Sequence, residues 1–173
     1  MKELILGGVR SGKSRLAEQH AQHSGLPVTY IATATRDDKE MHARIAQHQA
    51  QRPQHWQLME EPLALAAALQ QHAADDRCLL VECLTLWLTN LLCDPDETHL
   101  QTEITALLKI LPALPGHIIL VSNETGMGIV PLGELTRRYC DEAGRLHQAL
   151  ALSCDKVILT VAGLPLHLKG ENT

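Results

Sequence analysis

The stretch LILGGVRSGKSRL, residues 4–16, constrains this chain more than any other. Gly7, Gly12, Lys13 and Ser14 fill the pattern G-x-x-x-x-G-K-[ST], in which glycine-rich backbone cradles phosphate oxygens. The pattern demands a buried strand ending at a glycine, a tight loop, and a helix opening at the lysine. An apolar run enters the stretch and a helix-prone run leaves it, so the context matches. Glycines let successive N–H groups point inward, and the helix adds the positive end of its dipole. Lys13 is placed to reach the β- and γ-phosphates, and Ser14 to coordinate Mg²⁺. The ligand is a nucleoside phosphate of unspecified base. The guanine-reading N-K-x-D pattern is absent, since residues 122–125 read SNET.

The rest of the chain alternates strand-like and helix-like segments. Strands are predicted over 4–8, 27–33, 56–60, 78–82, 117–123, 156–163 and 165–169. Helices are predicted over 14–23, 36–52, 63–73, from 83 to about 92, over 100–111 and over 133–153, with a polar loop at 93–99. Such alternation implies α/β architecture: a mostly parallel central sheet of about seven strands with helices on both faces. The last two strands are too close for a crossover, so one of them runs antiparallel. At 173 residues the chain fits one domain, residues 1–173. With two Trp, two Tyr and no Phe, the core must come from Leu, Ile, Val and Ala.

Composition excludes several functions. A formal net charge of −5 argues against a nucleic-acid partner, which usually meets a basic face. No run reaches the roughly 18 apolar residues of a membrane span; CLLVECLTLWLTNLL is interrupted by Glu82. The apolar stretch at the N-terminus is too short for a signal peptide. Five cysteines without a C-x-x-C pair imply reduced thiols and a cytoplasmic location.

Two further residues carry chemistry. Glu82 ends the apolar run CLLVE, where an acid at the carboxyl edge of a parallel sheet can help hold Mg²⁺. The alternative is a surface-pointing strand end or a helix cap. In a helix over 36–52, Met41, Ile45, His48 and Arg52 share a face. An imidazole beside an arginine and a nucleotide can attack phosphorus, although spacing alone favours a partly buried structural histidine.

GGVRSGKSRLAE (7–18), YIATA (30–34), ARIAQHQAQRPQHW (43–56), ECLTLWLTNLL (82–92), LVSNETGMGIVP (120–131) and VAGLPLHLK (161–169) together resemble the bifunctional adenosylcobinamide kinase/adenosylcobinamide-phosphate guanylyltransferase family. The resemblance runs almost end to end. It implies a P-loop NTPase fold of the RecA-like type, assembled as a homotrimer. It places the guanylylated histidine on His48, in the setting R-I-x-x-H-x-x-x-R-P. Some members carry a second histidine just before it, where this chain has Gln47. The implied nucleotide contacts fall on Gly7, Gly8, Val9, Arg10, Ser11, Gly12, Lys13 and Ser14. They continue at Ala32, Thr33 and Ala34, at Gln49, Ala50, Gln51 and Arg52, and at Glu60 and Glu82.

The resemblance further implies two reactions. ATP or GTP phosphorylates adenosylcobinamide, with Lys13, Ser14 and Mg²⁺ serving the transfer. GTP then guanylylates His48, and adenosylcobinamide-phosphate takes up the GMP. A monofunctional P-loop kinase of a small metabolite, with His48 structural, is the alternative enzyme reading; a nucleotide-binding regulatory protein is the non-enzymatic one.

Overall fold

Strand β1 (Lys2–Gly7) is buried from Glu3 onward and occupies the interior of the sheet. The computed structural model describes residues 1–34, 53 and 55–170. The helix predicted over 36–52, with Met41, Ile45, Gln47, His48, Gln49, Ala50, Gln51 and Arg52, lies outside the described residues. After β1 come α1 (Lys13–His23), β2 (Val28–Ala32), β3 (Gln57–Glu60), α2 (Leu65–His72), β4 (Cys78–Glu82) and α3 (Leu84–Leu92). Then follow α4 (Glu97–Ile110), a 3₁₀ turn (Leu111–Ala113), β5 (His117–Asn123), α5 (Glu134–Ser153), β6 (Lys156–Val161) and β7 (Leu164–Lys169).

The seven strands form one sheet in the order β3-β2-β4-β5-β1-β6-β7. Every pairing is parallel except β6 with β7, as the short final connection requires. Side chains alternate across the central strands. Leu4, Leu79, Val81, Ile118 and Leu120 pack with Leu65, Trp87, Leu107 and Leu146 of α2, α3, α4 and α5. Ile5, Leu80, Ile119 and Val121 pack with Ala17 and Ala21 of α1 and with Trp56. Helices therefore cover both faces, and continuous apolar runs such as CLLV reflect strands buried on both sides. Trp87 is fully buried, and its indole N–H donates to Leu63 O at 2.8 Å.

The predicted boundaries shift in one instructive place. Helix α4 begins at Glu97, inside the segment expected to be a polar loop. Asp96 is its N-cap and accepts a hydrogen bond from Thr98 N at 3.0 Å, so polar residues there start a helix. Among the described residues, no helix is long and apolar enough to cross a membrane.

Candidate nucleotide site at the carboxyl end of the sheet

The loop between β1 and α1 has the form its sequence demands. A Cβ on Gly7 would fall 2.4 Å from Ser11 Oγ and 2.7 Å from Thr160 O, so no side chain fits. Gly12 has φ 95° and carries no side-chain cap for α1, which leaves the first helical N–H groups for an anion. Arg10 is also left-handed, with φ 56°. Ser11 N donates to Gly8 O at 3.2 Å, and Gly163 N donates to Ser11 O at 2.8 Å. The loop is thus pinned from within and from the β6–β7 turn. Lys13 is buried, with Nζ donating to Gly8 O at 3.3 Å across the loop. Ser11 Oγ is buried without a hydrogen-bond partner among the described residues. Gly8, Val9 and Arg10 are exposed along the rim.

Glu82 stands where the sequence placed it, at the carboxyl end of β4. Ser14 Oγ donates to Glu82 Oε1 at 2.8 Å, so the two predicted Mg²⁺ residues, 68 positions apart in the chain, meet directly. Burial pushes the Glu82 pKa up to about 7, against the opposing pull of the Ser14 hydrogen bond and the Lys13 ammonium. A carboxylate so poorly solvated gains from a bound cation. Hydroxyl and carboxylate oxygens are the hard donors Mg²⁺ prefers, with phosphate and water completing its shell. These residues fit the ion.

The same edge gathers more of the predicted contacts. Ala32 is the register partner of Glu82 on one side and of Glu60 on the other, so the three residues form a row across β4, β2 and β3. Thr33 follows, fully buried: its hydroxyl donates to Cys83 O at 2.7 Å and accepts from Cys83 N at 3.0 Å. The Thr33 side chain therefore holds strand ends together, and its backbone is engaged as well, with Thr33 N donating to Glu82 O at 3.2 Å. Ala34 is half-buried beside it. Asn90 Nδ2 donates to Thr33 O at 2.8 Å and to Pro62 O at 3.1 Å. The structure thus brings together residues 7–14, 32–34, 60 and 82; His48 and residues 49–52 lie outside the described residues.

One cluster at this edge was not foreseen. Ser122 Oγ and His147 Nε2 lie 2.8 Å apart, and His147 Nδ1 lies 3.6 Å from Glu124 Oε2. Burial lowers the His147 pKa, opposed by the Glu124 charge. The other Glu124 oxygen accepts from Gly126 N at 2.6 Å, and Glu124 N donates to Gly7 O at 3.0 Å. Asn123 N donates to Thr85 Oγ1 at 2.8 Å, while Asn123 Oδ1 is buried without a partner among the described residues. The available signal was SNETG itself, a polar stretch closing a buried strand.

Residues 3–168 match the family described as cobinamide kinase / cobinamide phosphate guanyltransferase. The chain belongs to that family. It is 66% identical over 171 residues to the bifunctional adenosylcobalamin biosynthesis protein CobP of Pseudomonas aeruginosa, covering 99% of each chain. It is 40% identical over 182 residues to the bifunctional adenosylcobalamin biosynthesis protein CobU of Escherichia coli, covering 98% of this chain and 100% of that one. Among solved structures, the RadB recombinase aligns with a TM-score of 0.53 at 16% identity, over 91% of this chain and 73% of that one. That likeness concerns the fold alone: a mostly parallel sheet with helices on both faces.

Proposed function

We propose that this chain, as a single domain, phosphorylates the hydroxyl of adenosylcobinamide with ATP or GTP. It then transfers GMP from GTP to the new phosphate, yielding adenosylcobinamide-GDP and pyrophosphate. The observation that carries the first step is the Lys13–Ser14–Glu82 group at the mouth of a preformed phosphate loop. Family membership supplies the acceptor.

In the kinase step the acceptor oxygen attacks the γ-phosphorus, its proton leaves, and the nucleoside diphosphate departs. Lys13 neutralises charge on the β- and γ-oxygens, and the N–H groups of the loop and of the first turn of α1 orient the chain of phosphates. Bound Mg²⁺, held by Ser14 and Glu82, would neutralise further phosphate charge. In the second step His48 attacks the α-phosphorus of GTP and pyrophosphate leaves. An oxygen of adenosylcobinamide-phosphate then attacks the same phosphorus and frees the histidine. The role of His48 rests on its setting R-I-x-x-H-x-x-x-R-P, and attack requires the neutral imidazole, the ordinary majority form at pH 7. Gln49 to Arg52, Ala32 to Ala34 and Glu60 join the loop as nucleotide contacts.

A homotrimer is part of the proposal. In its favour, Leu164, Leu166 and Leu168 on edge strand β7 are 71%, 55% and 57% exposed, an apolar row suited to a second copy. The cysteine pattern supports a cytoplasmic setting.

Labelled GTP tests the division of labour. Label on the α-phosphate should remain on the protein, in a bond that survives alkali and breaks in mild acid, and γ-label should not. His48→Asn should abolish the adduct and adenosylcobinamide-GDP formation while phosphorylation of adenosylcobinamide continues; His55→Asn should still take up label. Retention of α-label by His48→Asn overturns the assignment.

A further inference from the structure

The segment after β5 presents its apolar side chains to solvent. Met127 is 76% exposed, Ile129 99%, Val130 72% and Leu132 96%. Isolated exposed hydrophobes are ordinary, but four within six residues form a patch that calls for a partner. The segment is also well held. It starts on the phosphate loop itself, through Glu124 N to Gly7 O at 3.0 Å and through the register pairing of Asn123 with Gly7. Where it leaves β5, buried Ser122 and His147 and half-buried Glu124 form the polar cluster described above. At its far end Arg137 Nη1 donates to Pro131 O at 3.3 Å and to Leu132 O. A tethered backbone that displays apolar side chains is prepared for contact without a large ordering cost.

From this placement we infer that residues 127–132 form the platform on which the corrinoid ring of the acceptor rests. The inference depends on the function proposed above. The acceptor's reacting hydroxyl ends a short aminopropanol arm, whereas its macrocycle is far too large to enter a phosphate loop. When the arm reaches the γ-phosphate, the ring must lie on the adjoining rim. A segment anchored on Gly7 is part of that rim, and its aliphatic side chains suit a ring whose edges carry methyl groups. A second copy of this chain is the other occupant that such a patch could take, and the two differ in what a substitution disturbs.

The test replaces Ile129 and Leu132 together by serine. Both are almost fully exposed, so the fold does not depend on them. Kinase assays with adenosylcobinamide should show KM for the acceptor raised by about tenfold or more, the loss expected when two aliphatic contacts vanish. The GTP dissociation constant and the oligomeric state by light scattering should remain those of the parent. The exchange Ile129→Leu with Leu132→Ile should keep the parental KM, because the apolar surface is retained. An unchanged acceptor KM in the double serine variant overturns the proposal while the parent's activity stands. Dissociation of the oligomer, with KM recovering at high protein concentration, also overturns it and makes the patch an interface between copies. A parent that phosphorylates no adenosylcobinamide removes the functional reading itself, and this proposal with it.

Discussion

Replacing Glu3 by Gln should destabilise the protein at neutral pH and flatten part of its acid unfolding. Glu3 lies at the start of β1, at the opposite end of the strand from the phosphate loop, and only 1% of it is exposed. Burial alone would raise its pKa, but hydrogen bonds from His117 and His20 and the charges of those imidazoles outweigh burial. They hold the carboxyl at about 2 against an ordinary 4.5. The contacts are 2.6 Å to His20 Nδ1 and 3.1 Å to His117 Nε2, so one carboxylate ties together β1, α1 and β5. Because the folded pKa is depressed, the stability is fully present above pH 4.5 and is lost as pH falls toward 2. At about 1.36 kcal/mol per pH unit, that gap corresponds to roughly 3 kcal/mol. Glu3→Gln removes the carboxylate charge and should cost at most about that much, lowering Tm by at most roughly 6–12 °C for a domain of this size. Urea unfolding of both proteins at a series of pH values between 2 and 7 is the assay. The gap between them should be present above pH 4.5 and close toward pH 2. If the variant matches the parent at pH 7, or the gap persists unchanged at pH 2, the two histidines do not stabilise the ionised carboxylate.

Three other outcomes follow from the site. Lys13→Ala should weaken nucleotide binding and stop phosphorylation of adenosylcobinamide, read by calorimetry and by product formation; near-normal turnover would move the cation's role to Arg10. Glu82→Gln should raise the Mg²⁺ concentration for half-maximal rate while the fold persists, and an unchanged Mg²⁺ requirement with a large loss of thermal stability would make Glu82 structural. Thr33→Val removes both hydrogen bonds to Cys83 and should lower stability by about 1–3 kcal/mol in urea, with a parental midpoint contradicting the bridging role.

The form of the β1–α1 loop was legible because it is a local structure: Gly7, Gly12, Lys13 and Ser14 lie within a few residues of each other. Glu82 was legible for a different reason, as a carboxylate ending a wholly apolar strand. The start of α4 was misplaced although Asp96 is an ordinary cap, because polarity at 93–99 reads equally as loop or as first turn. Long-range polar pairs left no local trace. Glu3 looks like a surface charge in MKELILGG, and only folding brings it to His117, 114 residues away. Ser122 and His147, 25 residues apart, meet because α5 packs over the end of β5. Such groups satisfy buried donors and acceptors across elements, and their pairing is a property of topology.

The hydrogen bond from Gly163 N to Ser11 O makes the phosphate loop answerable to a part of the chain remote from it in sequence. Gly163 lies in the turn between β6 and β7, and β6 is itself the register partner of β1, so the turn and the loop rest on one pair of strands. A substitution that shifts this turn is therefore felt at the loop although it touches none of residues 7–14, and tolerance to change at the turn is set by the loop as well as by the hairpin.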